Sequence, residues 1–236
     1  MITLSFAAVI QEMVNKGRTV FAQQIIVETD HHYVVLFPWQ GETIICIRGT
    51  DELHDWHDVN LKAWQTSFAG HKAHAGFVQA YIELYVLITR ALHQLDPSSR
   101  GLRRPLVIIG HSMGGAVAQL LAYTRHNLVS QVVTFGQPRV FSPKLAKAYD
   151  RVLADKTTRI VNERDIVPCV PGALFFRHTR ERLYLDGGKA KAIRWFRRTV
   201  RAIASAVPKL FGLRDWDHTM DAYRHATVKY ERRTLL

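Results

Sequence analysis

Apolar and polar residues follow two kinds of pattern along the chain, which predict strands and helices in turn. Short runs rich in Val, Ile and aromatic residues are typical of strands, whereas longer segments with apolar residues three or four apart indicate helices. The predicted strands cover residues 33–39, 42–48, 106–110, 131–135, 158–161 and 182–185. The predicted helices cover residues 6–16, 77–95, 115–126 and 142–153, and another closes the chain around His225. We therefore expect an α/β fold with a mostly parallel central sheet flanked by helices.

The length and composition of the chain favour one domain, spanning residues 1–236. Of these residues 47% are hydrophobic and 22% charged, which falls in the ordinary globular range. The N-terminal stretch lacks the basic region of a secretory signal, and no apolar run reaches the roughly 18 residues that span a bilayer. We expect a cytoplasmic protein, with peripheral membrane association or secretion by a non-classical route as alternatives.

One serine lies where a predicted strand gives way to a helix, in the stretch LVIIGHSMGGAVAQLLAY (106–123). Gly110, Ser112 and Gly114 form the pattern Gly-x-Ser-x-Gly, in which a sharp turn presents a serine at the carboxyl edge of a sheet. The helix that follows adds the positive end of its dipole and N–H groups. The pattern also fits a turn that only packs a strand against a helix, but its position favours a nucleophile.

A serine nucleophile needs a histidine to accept its proton and a carboxylate to orient that histidine. On such a sheet the chain order is Ser, then Asp or Glu, then His. Asp165 is favoured as the carboxylate because it closes a predicted strand and Pro168 then forces a loop. His218 is favoured as the base because it lies between the last predicted strand and the closing helix. The other candidates are Glu163, Asp186, His178 and His225.

The negative charge that develops on a substrate oxygen during such a reaction needs two hydrogen-bond donors. The first is the backbone N–H of Met113, the residue after the serine. The stretch IICIRGTDE (44–52) offers the N–H and hydroxyl of Thr50 as the second. It also fits an ordinary exit from a strand, so these residues alone leave the role of Thr50 open.

Seven short motifs resemble, in order, those of the class 3 lipases, the fungal-type triacylglycerol lipases of the α/β-hydrolase fold. They are IRGT (47–50), HDWHD (54–58), HAGF (74–77), GHSMGGA (110–116), VTFGQPRV (133–140), RIVNERDIVPCVP (159–171) and DHTMDAY (217–223). The resemblance implies a Ser112 nucleophile, an Asp165 acid and a His218 base. It also implies Thr50 and Met113 as oxyanion donors, and a lid in the segment at about 51–73. This chemistry requires no metal and no organic cofactor.

The net charge of +12 is concentrated near the C-terminus. From Arg177 onward, fifteen Lys and Arg stand against six Asp and Glu, a net +9 that leaves +3 for the rest of the chain. Here a basic insertion at about 189–214 predicts an amphipathic helix with apolar residues on one face and arginines on the other. Such a helix fits contact with an anionic membrane, and it equally fits a surface helix with a solvated polar face.

These observations predict a serine carboxylester hydrolase, most directly a lipase that cleaves acylglycerols. A phospholipase A1 and a short-chain esterase are the alternatives, and the few apolar residues of the lid-like segment favour smaller esters. Two rivals of another class would use the basic C-terminal helix: a membrane-docking protein without activity and a nucleic-acid-binding protein. The order of the triad residues argues against the first, and the lack of a recognition motif argues against the second. We therefore expect a lipid or ester substrate and no nucleic-acid partner.

Overall fold

The computed structural model describes residues 1–18, 21–49, 64–97, 104–162, 165, 167–180, 182–185 and 218–234. In these ranges the strands are β1 (Ile25–Glu28), β2 (Tyr33–Trp39), β3 (Glu42–Ile47), β4 (Gln65–Phe68), β5 (His71–His74), β6 (Leu106–His111), β7 (Val129–Phe135), β8 (Thr157–Asn162) and β9 (Arg182–Leu185). The α-helices are α1 (Leu4–Asn15), α2 (Ala75–Leu95), α3 (Met113–Thr124), α4 (Pro143–Leu153) and α5 (Met220–Thr234). Short 3₁₀ turns cover Ala154–Lys156 and Val167–Cys169.

Most of the strands form one mixed sheet, in the order β1-β2-β3-β6-β7-β8-β9. Strands β1, β2 and β3 pair antiparallel, whereas β3, β6, β7, β8 and β9 pair in parallel. All six residues of the central strand β6 are buried, which explains the apolar run at residues 106–109. Because parallel strands end at the same edge of a sheet, the residues that follow β6, β7 and β8 lie close together there.

The two faces of the sheet are covered by different helices. Side chains alternate between the two faces along each strand. Ile45 and Ile108 belong to an apolar layer that includes buried residues of α2, α3 and α4. Their neighbours Ile44 and Ile109 belong to a second layer that includes residues of α1 and α5. The expected α/β architecture, with helices on both faces of a mostly parallel sheet, is confirmed.

Helix α2 is long and apolar enough to cross a membrane, by length and hydropathy alone. However, seven of its residues are buried, including Phe77, Leu84 and Ile88, and they pack in the layer between helix and sheet. Glu83 and Arg90 lie on its exposed side. We therefore interpret α2 as a core helix with one buried face and one exposed face.

The predicted strands and helices are found within a few residues of their expected ends, but the hairpin formed by β4 and β5 was not predicted. Its sequence, QTSF followed by HKAH, alternates too weakly to indicate a strand. Tertiary contacts hold it: the N–H of His74 donates to Val140 O at 2.9 Å, and that of Ser142 donates to Lys72 O at 3.0 Å. Short strand β1 was also missed.

Parts of the predicted domain organisation lie beyond what the structure describes. Of the lid-like segment at about 51–73, residues 51–63 lie outside the described ranges and the remainder leads into the β4–β5 hairpin. The basic insertion at about 189–214 lies entirely outside them. Both features, and the single-domain organisation itself, stay predictions.

Candidate active site

The turn between β6 and α3 holds Ser112 in a backbone conformation that non-glycine residues rarely adopt. Its φ is 54° and its ψ is −126°. Neighbouring backbone groups lie so close that a Cβ on Gly110 would be 2.4 Å from Gly114 O, and one on Gly114 would be 2.3 Å from Ile47 O. Glycine is therefore required at both positions by the packing of strand, turn and helix.

Ser112, His218 and Asp165 form a continuous hydrogen-bonded set. His218 Nε2 lies 2.9 Å from Ser112 Oγ, and His218 Nδ1 lies 2.7 Å from Asp165 Oδ2. Ser112 and Asp165 are buried, and the His218 side chain is 19% exposed. Because a carboxylate only accepts, His218 Nδ1 carries a proton, and in the neutral ring Nε2 is left with a lone pair directed at the serine hydroxyl.

Asp165 is held by donors from two further elements. The N–H of Val167 donates to its Oδ1 at 2.9 Å, and the hydroxyl of Tyr223 on α5 donates to its Oδ2 at 2.6 Å. The same hydroxyl accepts from the N–H of Asn162 at the end of β8, at 3.1 Å. Burial, together with the charge of Asp165, raises the pKa of Tyr223 well above its ordinary value. Tyr223 therefore remains a neutral donor that stabilises the carboxylate.

Gly136, which follows β7, leaves room for the contact between Asp165 and His218. Its φ is 58°, in the left-handed region that favours glycine. A Cβ at this position would lie 2.6 Å from Asp165 Oδ2 and 3.0 Å from His218 Nδ1. The glycine thus meets both a backbone and a steric requirement.

The favoured triad candidates are brought together, and the others that the structure describes lie elsewhere. Met113 is the first residue of α3, where backbone N–H groups have no helical acceptor. His178 Nε2 lies 2.7 Å from Pro168 O, and His225 is exposed on α5. The remaining candidates lie outside the described residues: Thr50, Glu163 and Asp186.

The sequence patterns did not indicate Tyr223 and Gly136 as site residues, although both lie in the family-like motifs DHTMDAY and VTFGQPRV. Tyr223 is on α5, five positions after His218, and is completely buried. A helical projection of the closing helix would have indicated this buried position. No local signal distinguishes Gly136, because its requirement arises from side chains on two other segments.

Comparison with known proteins places this architecture in a family. The family model described as lipase (class 3) matches residues 44–175, more than half of the chain. This chain belongs to the class 3 lipase family. The match includes Ser112 and Asp165, while His218 lies beyond it.

Two fungal lipases illustrate the similarity. The secreted mono- and diacylglycerol lipase 1 of Fusarium solani is 29% identical over 169 residues, which cover 66% of this chain and 47% of that protein. A lipase of Rhizomucor miehei is 33% identical over 163 residues, covering 63% of this chain and 43% of that protein. The chain therefore spans about half the length of these relatives. The Fusarium protein is named as secreted, which does not match the cytoplasmic location expected from the sequence.

The solved structure of another lipase has the same fold. The Lip2 lipase of Yarrowia lipolytica superposes with a TM-score of 0.63 over 77% of each chain, at 22% sequence identity. At this identity the similarity concerns the fold alone. The α/β-hydrolase fold implied by the motifs is confirmed.

Proposed function

We propose that this class 3 lipase relative is a serine carboxylester hydrolase that cleaves acylglycerols through an acyl-enzyme. The observation that carries the proposal is the unbroken hydrogen-bonded set from Ser112 Oγ through His218 to Asp165. A buried serine paired with a histidine and a buried carboxylate is the arrangement that activates a hydroxyl for attack on a carbonyl.

In the first half of the reaction, His218 Nε2 takes the proton of Ser112 Oγ as this oxygen attacks the ester carbonyl carbon. The carbonyl oxygen becomes an oxyanion, for which the N–H of Met113 at the start of α3 and Thr50 are the proposed donors. As the intermediate collapses, His218 returns the proton to the leaving alcohol and the acyl group stays on the serine. Asp165 stabilises the imidazolium that forms in between.

In the second half, water repeats the attack through the same groups. His218 removes a proton from the water as its oxygen bonds to the acyl carbon. The second intermediate then collapses, Ser112 recovers its proton from His218, and a fatty acid leaves. Water and ester are thus the only reactants, and the balance needs no oxidant, metal or organic cofactor.

The acylglycerol substrate is proposed from the relatives rather than from a substrate pocket. The Fusarium relative is named as a mono- and diacylglycerol lipase. An A1-type activity on phospholipid and an esterase activity on short soluble esters remain the alternatives. A chain-length series separates the last of these, since an esterase prefers short acyl groups and a lipase accepts long ones.

The first experiment compares the wild-type chain with Ser112→Ala on p-nitrophenyl esters of increasing chain length, on diacylglycerol and on phosphatidylcholine. Ser130→Ala is the matched control, because Ser130 lies on β7 and its hydroxyl hydrogen-bonds Glu42 Oε1 at 2.6 Å, away from the triad. We expect turnover by the wild type and the control and background rates for Ser112→Ala. Equal rates for all three proteins would contradict the proposal.

Peripheral contact with an anionic membrane belongs to the same proposal, and described residues support it. Among the exposed apolar side chains of the described residues are Trp64 (66%), Leu174 (77%) and Phe175 (61%). Gln65 Nε2 donates to Phe175 O at 2.7 Å, which joins the two segments that carry them. A cleft of about 540 Å³ includes Arg177, two residues after Phe175, and is also lined by Lys147, Arg151 and Arg180, with Asp150 as its acidic residue.

Apolar side chains beside cations suit a surface of anionic lipid. Vesicle sedimentation with and without phosphatidylglycerol tests this contact. Phe175→Ala should weaken binding, whereas Ile82→Ala, which removes a side chain of equal exposure (62%) from α2, should not. Binding without ester turnover would instead favour the membrane-docking rival, and salt-sensitive DNA binding would favour the nucleic-acid rival. Fractionation of the source cells decides between the cytoplasm and secretion.

A further inference from the structure

We propose that Asn15 and His111 are positioning residues for the catalytic base. They form a hydrogen-bonded chain that begins on helix α1 and ends on the backbone of His218. The inference rests on the proposed function, because it takes His218 as the base. It assigns a role in the reaction to α1, which lies outside every motif on which the family resemblance depends.

The chain consists of four contacts. Gln11 Nε2 donates to Ile47 O at 3.0 Å and to Asn15 Oδ1 at 2.9 Å. Asn15 Nδ2 lies 3.0 Å from His111 Nδ1, and His111 Nε2 lies 2.8 Å from His218 O. The chain thus crosses from the end of α1 to the residue before Ser112, and from there to the base.

Each contact sets the direction of the next. A backbone carbonyl only accepts, so Ile47 O requires the amide nitrogen of Gln11, and this nitrogen then requires the oxygen of Asn15. The amide nitrogen of Asn15 is left to face His111, and because it only donates, His111 Nδ1 must accept. The proton of His111 is therefore on Nε2, where it donates to the carbonyl of His218.

Because only Nε2 of His111 carries a proton, the ring is neutral and adds no second positive charge beside the base. The rings of His111 and His218 lie with centroids 4.7 Å apart and planes inclined by 32°. Burial, with the nearby His218 as a smaller cause, lowers the pKa of His111 well below its ordinary value. A neutral His111 can lie against the imidazolium that His218 becomes during the reaction, whereas a charged one would oppose it.

Replacements of Asn15 distinguish this role from simple packing. Asn15→Leu removes the donor but leaves His111 free to keep its proton on Nε2. Asn15→Asp has nearly the same shape but presents an acceptor to Nδ1, which favours a proton there. His111 then either loses its bond to His218 O or becomes charged against His218. We expect about a threefold fall in kcat for Asn15→Leu and a fall of tenfold or more for Asn15→Asp, with KM within twofold.

Replacements of His111 provide the rescue test. His111→Leu removes the donor to His218 O, and we expect kcat to fall about 30- to 100-fold. His111→Gln keeps an N–H at the position of Nε2 and should recover at least tenfold of that loss. Gln131→Leu is the control for a general loosening of helix α1. Gln131 hydrogen-bonds the backbone N–H and C=O of Ile2, just before the N-terminal end of α1 and far from Asn15 at its other end. This replacement should lower Tm and leave kcat unchanged.

Long-range ¹H–¹⁵N spectra of the histidine rings supply a readout that does not depend on activity. We expect His111 in the wild type to carry its proton on Nε2 at pH 7, and Asn15→Asp to change this signature. An Nδ1 proton in the wild type would overturn the proposal. So would equal kcat losses for Asn15→Asp, Asn15→Leu and Gln131→Leu. If the wild type lacked esterase activity, the proposed function would fail while the tautomer could still be read.

Discussion

Replacing Gly136 by alanine would place a methyl group in the contact between Asp165 and His218. The new Cβ would lie 2.6 Å from Asp165 Oδ2 and 3.0 Å from two atoms of the His218 ring. Side-chain carbons essentially never approach an oxygen that closely, so one partner or the backbone must shift. Since Asp165 is held by Val167 and Tyr223, we expect His218 to move away from its present position.

Two effects of this substitution can be separated by magnitude. The left-handed φ of 58° disfavours alanine by about 1–2 kcal/mol. Overpacking in a filled site adds about 1–3 kcal/mol of destabilisation. A displacement of about 1 Å in a catalytic group lowers the rate by about 100-fold, and we expect a fall of that size in kcat/KM. Gly70→Ala is the matched control, because Gly70 has a φ of 77° and, among the described residues other than its chain neighbours, no atom lies within 4 Å of its Cβ position.

The assay measures kcat/KM on p-nitrophenyl butyrate and the free energy of unfolding in urea for both variants. Gly70→Ala should show the conformational destabilisation alone, with activity near that of the wild type. Gly136→Ala should show a larger destabilisation together with the loss of activity. A folded Gly136→Ala variant with wild-type kcat/KM would refute the reasoning, because the contact between Asp165 and His218 would then not matter to the reaction.

Three further predictions concern stability. Tyr223→Phe should lower the free energy of unfolding by about 1.5–3 kcal/mol, since Asp165 loses a buried donor to its charge; an unchanged urea midpoint would count against this. Burial lowers the pKa of His74 to about 4 from an ordinary 6.5. Between pH 6.5 and about 4 the imidazole of His74 binds a proton only in the unfolded chain, so the free energy of unfolding falls by up to about 3 kcal/mol as the pH is lowered. His74→Leu should flatten this dependence of stability on pH. Arg139 Nη1 donates to Pro171 O at 2.7 Å, so Arg139→Gln should loosen the loop after Asp165 and lower both Tm and kcat/KM, measured by calorimetry and esterase assay.

The identities of the elements and of the principal site residues could be predicted because they follow from local patterns. An unbroken apolar run indicates a buried parallel strand, and the Gly-x-Ser-x-Gly turn marks the start of a helix. The chain order of serine, carboxylate and histidine narrowed the candidates. The position of Asp165 at a strand end and of His218 before the closing helix then favoured these two. In the structure His218 lies beside Ser112, and Asp165 lies beside His218.

The supporting contacts could not be predicted, because they join residues that the chain keeps far apart. Asn15 and His111 are 96 residues apart, and they meet only because α1 packs beside the sheet near the end of β6. The weakly alternating β4–β5 hairpin likewise depends on backbone partners from the loop after β7. The sequence by itself determined which residues can form strands, helices and a nucleophilic turn. Only the tertiary structure decided which side chains surround His218 and Asp165, because such contacts depend on the register of parallel strands and on helix packing.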